Sequence, residues 1–189
     1  MDEQSLIAST RAGNPRAFNQ LVDSYQDIAY SVACRVLGHA EAAADATQDA
    51  FLAAYRALPA FRGGSFKAWL LRIVTNACYD QLRLRKRRPQ ISLDDLAEDP
   101  DYASALSDPG ETPEDALLRE DLAQALGAAI AKLPFEQRIV LVLSDVQGMS
   151  YEEISASTGA SLGTVKSRLS RARARVRDYL TQGREPLRP

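Results

Sequence analysis

The stretch "SLGTVKSRLSRARARVRDYL", residues 161–180, places an apolar residue at Val165, Leu169, Ala172, Val176 and Leu180, in steps of 4, 3, 4 and 4. Those steps keep one stripe of a 3.6-residue helix facing a core. Lys166, Arg168, Arg171, Arg173, Arg175 and Arg177 stand between the stripe residues, so the helix is a buried seam with a cationic outer wall. Immediately before it lies "YEEISAST", residues 151–158, with Ser150 and Glu153 at capping-box spacing and Gly159 as the turn after it. Ser161 then caps the basic helix. A short helix, a glycine turn and a second helix make a helix-turn-helix, in which Ile154 and Val165 meet at the crossing and small Ser155 permits close approach.

In such a unit the second helix enters the major groove, its N-terminal residues reach base edges and flanking cations hold phosphates. Thr164, Lys166, Ser167, Ser170 and Arg171 are the groove-facing candidates, with Arg168, Arg173 and Arg175 as phosphate contacts. An ordinary helical hairpin with a solvated basic face stays open as the alternative. Upstream, Thr112, Pro113 and Glu114 read as a helix start. That helix runs through Leu126 and Ile130 to Pro134, and "FEQRIVLVLSDVQ" reads as a largely buried helix ending at Gly148.

The charge is segregated along the 189 residues. Residues 62–88 hold eight Lys or Arg against one acid, residues 89–121 one against eleven, and residues 146–189 eight against four. Two basic blocks around an acidic one point to polyanion contact at two separate places, which the formal net charge of -2 conceals. With 46% hydrophobic and 25% charged residues the chain reads as globular, with two small domains. Its opening "MDEQSLIAST" carries acids where a secretory signal needs a basic and then an apolar segment, and no apolar run has the length of a membrane span, so a cytoplasmic protein without membrane insertion is expected. Cys34 and Cys78 read as small buried hydrophobes. No cofactor, metal site or catalytic residue is expected: His39 has no nucleophile nearby, no metal-ligand cluster stands out, and "GGSFK" lacks P-loop spacing.

From Ser5 to Arg88 the chain is helical in character, with breaks at Gly13-Asn14-Pro15, Gly38-His39, Leu58-Pro59 and Arg62-Gly63-Gly64-Ser65, giving about four helices. In "FRGGSFKAWLLRIVTNACYDQLRLRKRR", residues 61–88, the stripe Leu70, Ile73, Val74, Ala77 and Leu84 reads as core, while Trp69, Arg72, Asn76, Asp80 and Arg83 recur on another face. An aromatic beside cations and an amide suits single-stranded nucleic acid, since bases stack on rings and cations neutralise the backbone. A plain core role for Trp69 is the alternative. The "RLRKRR" run is a phosphate-binding candidate.

In "DATQDAFLAAYRALPAF", residues 45–61, Leu52 and Tyr55, with Ala42 just before it, fit the core, while Asp45, Gln48, Asp49 and Phe51 form an acidic, partly aromatic face suited to a protein partner rather than DNA, with a solvated acidic helix as the alternative. Residues 89–113, with Pro89, Pro100, Pro109 and Pro113 among Asp and Glu, read as a flexible acidic linker, with a short helical turn at Leu93 to Leu96.

The combination resembles bacterial RNA polymerase sigma factors of the sigma-70 family, extracytoplasmic-function (ECF) group. The family's "D..Q..F" core-binding helix is matched by Asp45, Gln48 and Phe51. Its "F.G..SF..WL..I..N...D..R" is matched by Phe61, Gly63, Phe66, Trp69, Leu70, Ile73, Asn76, Asp80 and Arg83, although the loop before Phe66 is a residue shorter than in many members. Its "G.S.GTV.SRL.RAR" is matched from Gly159 through Ser161, Thr164 and Ser167 to Arg173. The resemblance implies an all-α protein: a region 2 helical bundle at 1–88, the acidic linker at 89–113, a region 4 helix-turn-helix domain at 114–184 and a tail at 185–189.

It further implies that Asp45, Gln48, Asp49, Phe51, Leu52 and Tyr55 grip core RNA polymerase, through the coiled coil of its largest subunit. Phe61, Arg62, Gly63, Phe66, Trp69, Arg72, Asn76, Asp80, Arg83 and Arg87 would bind the -10 promoter element as it melts. Ser161, Thr164, Lys166, Ser167, Arg168, Ser170, Arg171, Arg173 and Arg175 would bind the -35 element as duplex, with the domain also meeting the polymerase flap. An anti-sigma factor is the further partner implied. A stand-alone helix-turn-helix regulator would leave the stretch from Asp45 to Arg83 without a task.

Overall fold

The first helix starts where its sequence allows: Asp2 accepts a hydrogen bond from the Ser5 N–H at 2.7 Å and opens α1, Glu3–Arg11. In the computed structural model, which describes residues 2–87 and 113–182, the remaining elements are all helical. Asn14 and Pro15 start α2, Pro15–Leu37. α3, Ala40–Ala57, runs into a 3₁₀ turn at Leu58–Ala60, and α4 is Phe66–Arg87. Then follow α5, Pro113–Ala131; α6, Phe135–Leu141, continuing into a π-helical turn at Val142–Val146; α7, Tyr151–Thr158; and α8, Leu162–Gln182. The breaks expected at Gly13, Gly38, Pro59 and Gly63 all fall between helices. Most of the linker, the Thr112 cap, the Leu93–Leu96 turn and the tail lie outside the described residues.

The N-terminal half packs α1, α2 and α4 with α3 around Leu21, Ala46, Ala50, Phe66, Leu70 and Val74. Arg11 Nη2 donates to the Pro59 carbonyl at 3.0 Å and pins α1 to the 3₁₀ turn. The expected stripe on α4 needs correction. Leu84 is 50% exposed, because the bundle ends a turn earlier, and the buried positions are Phe66, Leu70, Leu71, Val74 and Cys78. The assignment on α3 is also partly inverted: Leu52 and Tyr55 are exposed, and Phe51 is buried. Small Ala43, Ala46, Ala50 and Ala54 face the core, bringing the helix close enough for Phe51 to turn inward.

The C-terminal half is built as its pattern indicates. Ser150 Oγ accepts from the Glu153 N–H at 3.2 Å, and the Glu153 carboxylate accepts from the Ser150 N–H at 2.8 Å, a complete capping box. Gly159 sits at φ 71°, the left-handed region in which a β-carbon is strained, and Ser155 Oγ donates across the turn to the Ala160 carbonyl at 2.7 Å. Ile154, Val165, Leu169 and Ala172 are essentially fully buried. Ser150→Ala removes one side of the capping box and should lower the unfolding free energy by about 1 kcal/mol, measurable by urea denaturation followed by circular dichroism.

The two halves also touch. α7 packs on α4, and α5 and α6 pack on α2. This explains why every residue from Val32 to Leu37 is buried, Arg35 included: the end of α2 is covered by its own bundle on one side and by the second half on the other.

Candidate nucleic-acid interface and partner groove

Three surfaces carry the chemistry. The first is a groove between α2 and α3 of about 810 Å³, lined by Phe18, Val22, Tyr30, Phe51, Leu52 and Tyr55 together with Gln48 and other residues. Phe18 and Tyr55 meet edge to face at 4.9 Å, and Tyr30, Leu52 and Tyr55 stay 39%, 50% and 45% exposed. Gln48, Leu52 and Tyr55 share one stripe of α3, and Asp45 and Asp49 stand exposed on the same helix. An apolar groove beside carboxylates has the form that receives an amphipathic helix with basic flanks.

The second surface is on α4. Trp69 is half-buried and rests on Phe61 and Phe66, with ring centroids at 5.1 and 5.4 Å, and Tyr25 backs Phe66 at 5.2 Å. Phe61 and Phe66 are themselves buried, at 6% and 1% exposure, so they support the indole instead of meeting a ligand. The loop before α4 turns on Gly63 and Gly64, at φ 93° and 91°, which L side chains rarely adopt. Arg62, Arg72, Asn76, Asp80, Arg83 and Arg87 are all exposed. Arg83 and Asp80 form an ion pair at 2.9 Å in open solvent, which contributes little stability and leaves Arg83 available.

The third surface is α8. Ser161 Oγ accepts from the Thr164 N–H at 3.2 Å, as a helix cap should. Lys166, Ser170, Arg171 and Arg175 are exposed, with Thr164 and Ser167 half-buried beside them. Lys166 Nζ lies 6.0 Å from the Tyr151 ring centre. Two of the expected phosphate contacts are already engaged. Arg168 pairs with Glu136 at 2.8 Å, and Arg173 grips Asp145 through Nε and Nη2 at 2.9 and 2.7 Å. Hydrogen bonding from Arg173 holds the Asp145 carboxyl below its ordinary range. Glu136 also accepts from the Tyr79 hydroxyl of α4 at 3.2 Å, and burial with the Glu136 charge pushes that phenol up to about 12, so it stays protonated and donates.

Sequence reasoning missed these partners. A signal was present, since Glu136 and Asp145 are the only acids between residues 122 and 145 and both serve arginines of α8. Among the described residues no group of His, Cys, Asp and Glu has the arrangement of a metal site, and no helix is long and apolar enough to cross a membrane.

The same two halves are distinguished by comparison with known proteins. Residues 21–88, from within α2 to the end of α4, match sigma-70 region 2, and residues 123–176, from α5 into α8, match sigma-70 region 4. The RNA polymerase sigma-H factor of Pseudomonas aeruginosa is 39% identical over 178 residues, covering 92% of this chain and 91% of that protein. The chain belongs to the sigma-70 family. The ECF sigma-E factor of Escherichia coli is 37% identical with 93% of both chains covered, which places this sigma factor in the ECF group. The ECF sigma factor SigE of Mycolicibacterium smegmatis is 40% identical over 166 residues, and this chain spans 62% of its length.

Among solved structures, the sigma factor RpoE of Bartonella quintana, in complex with the anti-sigma factor NepR, superposes with a TM-score of 0.68 at 28% identity. It covers 88% of this chain and 98% of its own. CnrH, in complex with the cytosolic domain of CnrY, gives 0.63 at 30% identity, with 95% and 97% covered.

Proposed function

We propose that this ECF sigma factor directs core RNA polymerase to promoters by dividing the work among its three surfaces. The groove of residues 1–88, with Asp45, Gln48, Asp49, Leu52 and Tyr55 around it and Phe51 as its floor, receives the coiled coil of the largest polymerase subunit. The α4 face binds the -10 element during melting: Trp69 stacks on an exposed base, Arg72, Asn76 and Asp80 line the strand, and Arg62, Arg83 and Arg87 hold its backbone. An extruded base costs a few kcal/mol, and an aromatic platform recovers part of that. Phe61, Gly63 and Phe66 set the platform's position. The α8 face reads the -35 element as duplex, with Thr164, Lys166, Ser167, Ser170 and Arg171 toward the bases and Ser161, Arg168, Arg173 and Arg175 toward phosphates.

The observation that carries this reading is the coexistence of an apolar partner groove with two cationic helical faces on one chain. A stand-alone DNA-binding regulator would have no use for the groove. The role is non-enzymatic and cytoplasmic, with polymerase supplying the catalysis. An anti-sigma factor is the further partner, supported by the solved complex of the sigma factor RpoE with the anti-sigma factor NepR. Run-off transcription with purified core polymerase over a promoter library tests the proposal. Transcripts that start at a common sequence and require this chain are expected; their absence with active polymerase would overturn the reading.

A further inference from the structure

The first helix has no part in the three surfaces. No described residue of α1 lines the α2–α3 groove, and α1 lies ahead of residues 21–88, which match region 2. A helix of 9 residues is too short to persist alone in water, so α1 depends on Leu6 and Ile7, which are buried in the N-terminal half. Polar groups at its two ends reach other elements. At the N-terminal end the Tyr25 hydroxyl of α2 donates to the Glu3 carboxylate, and at the C-terminal end Arg11 Nη2 donates to the Pro59 carbonyl of the 3₁₀ turn at 3.0 Å.

Both contacts lead to the indole of Trp69. The Tyr25 ring meets Phe66 edge to face at 5.2 Å, and Phe66 lies 5.4 Å from Trp69. Arg11 holds the turn Leu58–Ala60, where the Leu58 carbonyl accepts from the Phe61 N–H at 3.1 Å, and the Phe61 ring lies 5.1 Å from Trp69. Phe61 and Phe66 meet each other at 5.9 Å, so the two routes close on one cluster of rings. Tyr25 is half-buried, and burial together with the bond to charged Glu3 pushes its phenol up to about 12, so it keeps its proton and donates. The loop between Phe61 and Phe66 gives the rings no such support: a β-carbon at Gly63 or Gly64 would meet nothing within 4 Å. The position of the cluster therefore depends on what stands behind it.

We propose that α1 is a brace for the Trp69 platform, with Glu3, Tyr25 and Arg11 as positioning residues: Glu3 acts through Tyr25 on Phe66, and Arg11 acts through the 3₁₀ turn on Phe61. All three work at one remove from the indole. A ring that receives an extruded base binds it best when already held in place, because nothing further is then lost in ordering it. This use of the brace in melting rests on the function proposed above; the posture of the indole in the free chain does not.

Trp69 is the only tryptophan of the sequence, so acrylamide quenching of fluorescence in the free full-length chain reads the posture of the indole without polymerase or DNA. Tyr25→Phe keeps the ring and removes the donor, Glu3→Ala removes its acceptor, and Arg11→Ala removes the contact with the turn. Each loss of a hydrogen bond multiplies the displaced population of the ring by about twofold to tenfold, so the quenching constant should rise about 1.5-fold or more with helical circular dichroism unchanged. Glu3→Gln retains an acceptor for the phenol and should stay near native. Tyr25→Phe combined with Glu3→Ala should quench no more than either alone, since both remove one bond. Arg11 is exposed, so Arg11→Ala covers the case in which a Tyr25 variant does not fold. Native quenching in folded Glu3→Ala and Arg11→Ala would overturn the proposal.

The second readout is open-complex formation with core polymerase. Tyr25→Phe and Arg11→Ala should slow it about threefold to tenfold, less than loss of the indole itself, and leave polymerase affinity and duplex recruitment unchanged. Raised quenching with a native opening rate would overturn the role in melting and leave the brace standing. Failure of the native chain in run-off transcription would count against the proposed function alone, because the quenching result does not depend on it.

Discussion

Leu52→Asp is expected to weaken binding to core RNA polymerase at least 100-fold while leaving the fold intact. Leu52 is half-exposed on the rim of the α2–α3 groove, so the free protein tolerates a carboxylate there. In the complex with core polymerase proposed above, the same position is buried. Losing a leucine side chain from an apolar interface costs about 1.5–3 kcal/mol, and desolvating an unpaired carboxylate adds to it. At about 1.4 kcal/mol per tenfold, a hundredfold loss is about 2.8 kcal/mol, which the lost leucine contact and the desolvated carboxylate reach together. Asp49→Arg should act in the same direction through charge, without removing apolar area. Fluorescence anisotropy of the labelled chain titrated with core polymerase reads both. An affinity within threefold of native for Leu52→Asp would remove the groove from the interface.

Trp69→Ala is expected to slow open-complex formation tenfold to 100-fold with little effect on initial duplex recruitment. A stacked base is held by about 1–3 kcal/mol, and that interaction exists only once the base has left the duplex. The indole also rests on Phe61 and Phe66, so the truncation uncovers part of the core. Trp69→Phe separates the two effects, because a smaller ring keeps the stack and should restore most of the rate. Lys166→Ala and Arg171→Ala should do the reverse, weakening recruitment and sparing the later step. Permanganate reactivity of melted thymines, followed against time, distinguishes them; equal effects on both steps would contradict the division of tasks.

The helices were legible because their signals are local. Glycine and proline mark the breaks, Ser150 and Glu153 announce a capping box, and the 4-3-4-4 stripe of α8 fixes its buried face. The candidate faces on α4 and α8 followed from the same periodicity: the polar positions of Arg72, Asn76, Asp80 and Arg83 are exposed together as spacing required. What failed depended on neighbours that a single helix does not reveal. Leu52 and Tyr55 match a core pattern, yet they sit on a rim, because four alanines of α3 already fill the core side. Leu84 continues a stripe beyond the bundle that would cover it.

The packing of one half on the other was harder still. Its traces are the run from Val32 to Leu37, apolar apart from Arg35, and the isolated acid Glu136, which accepts from Tyr79 of α4. A run so largely apolar signals burial, but not what buries it.

On the function proposed above, the two cationic faces of one chain act together only when polymerase holds them apart along a promoter. DNase I footprinting of a selected promoter, with this sigma factor alone and with core polymerase added, tests it most directly. Protection of both elements should appear only with polymerase present. Full protection of both by the free chain would contradict the account.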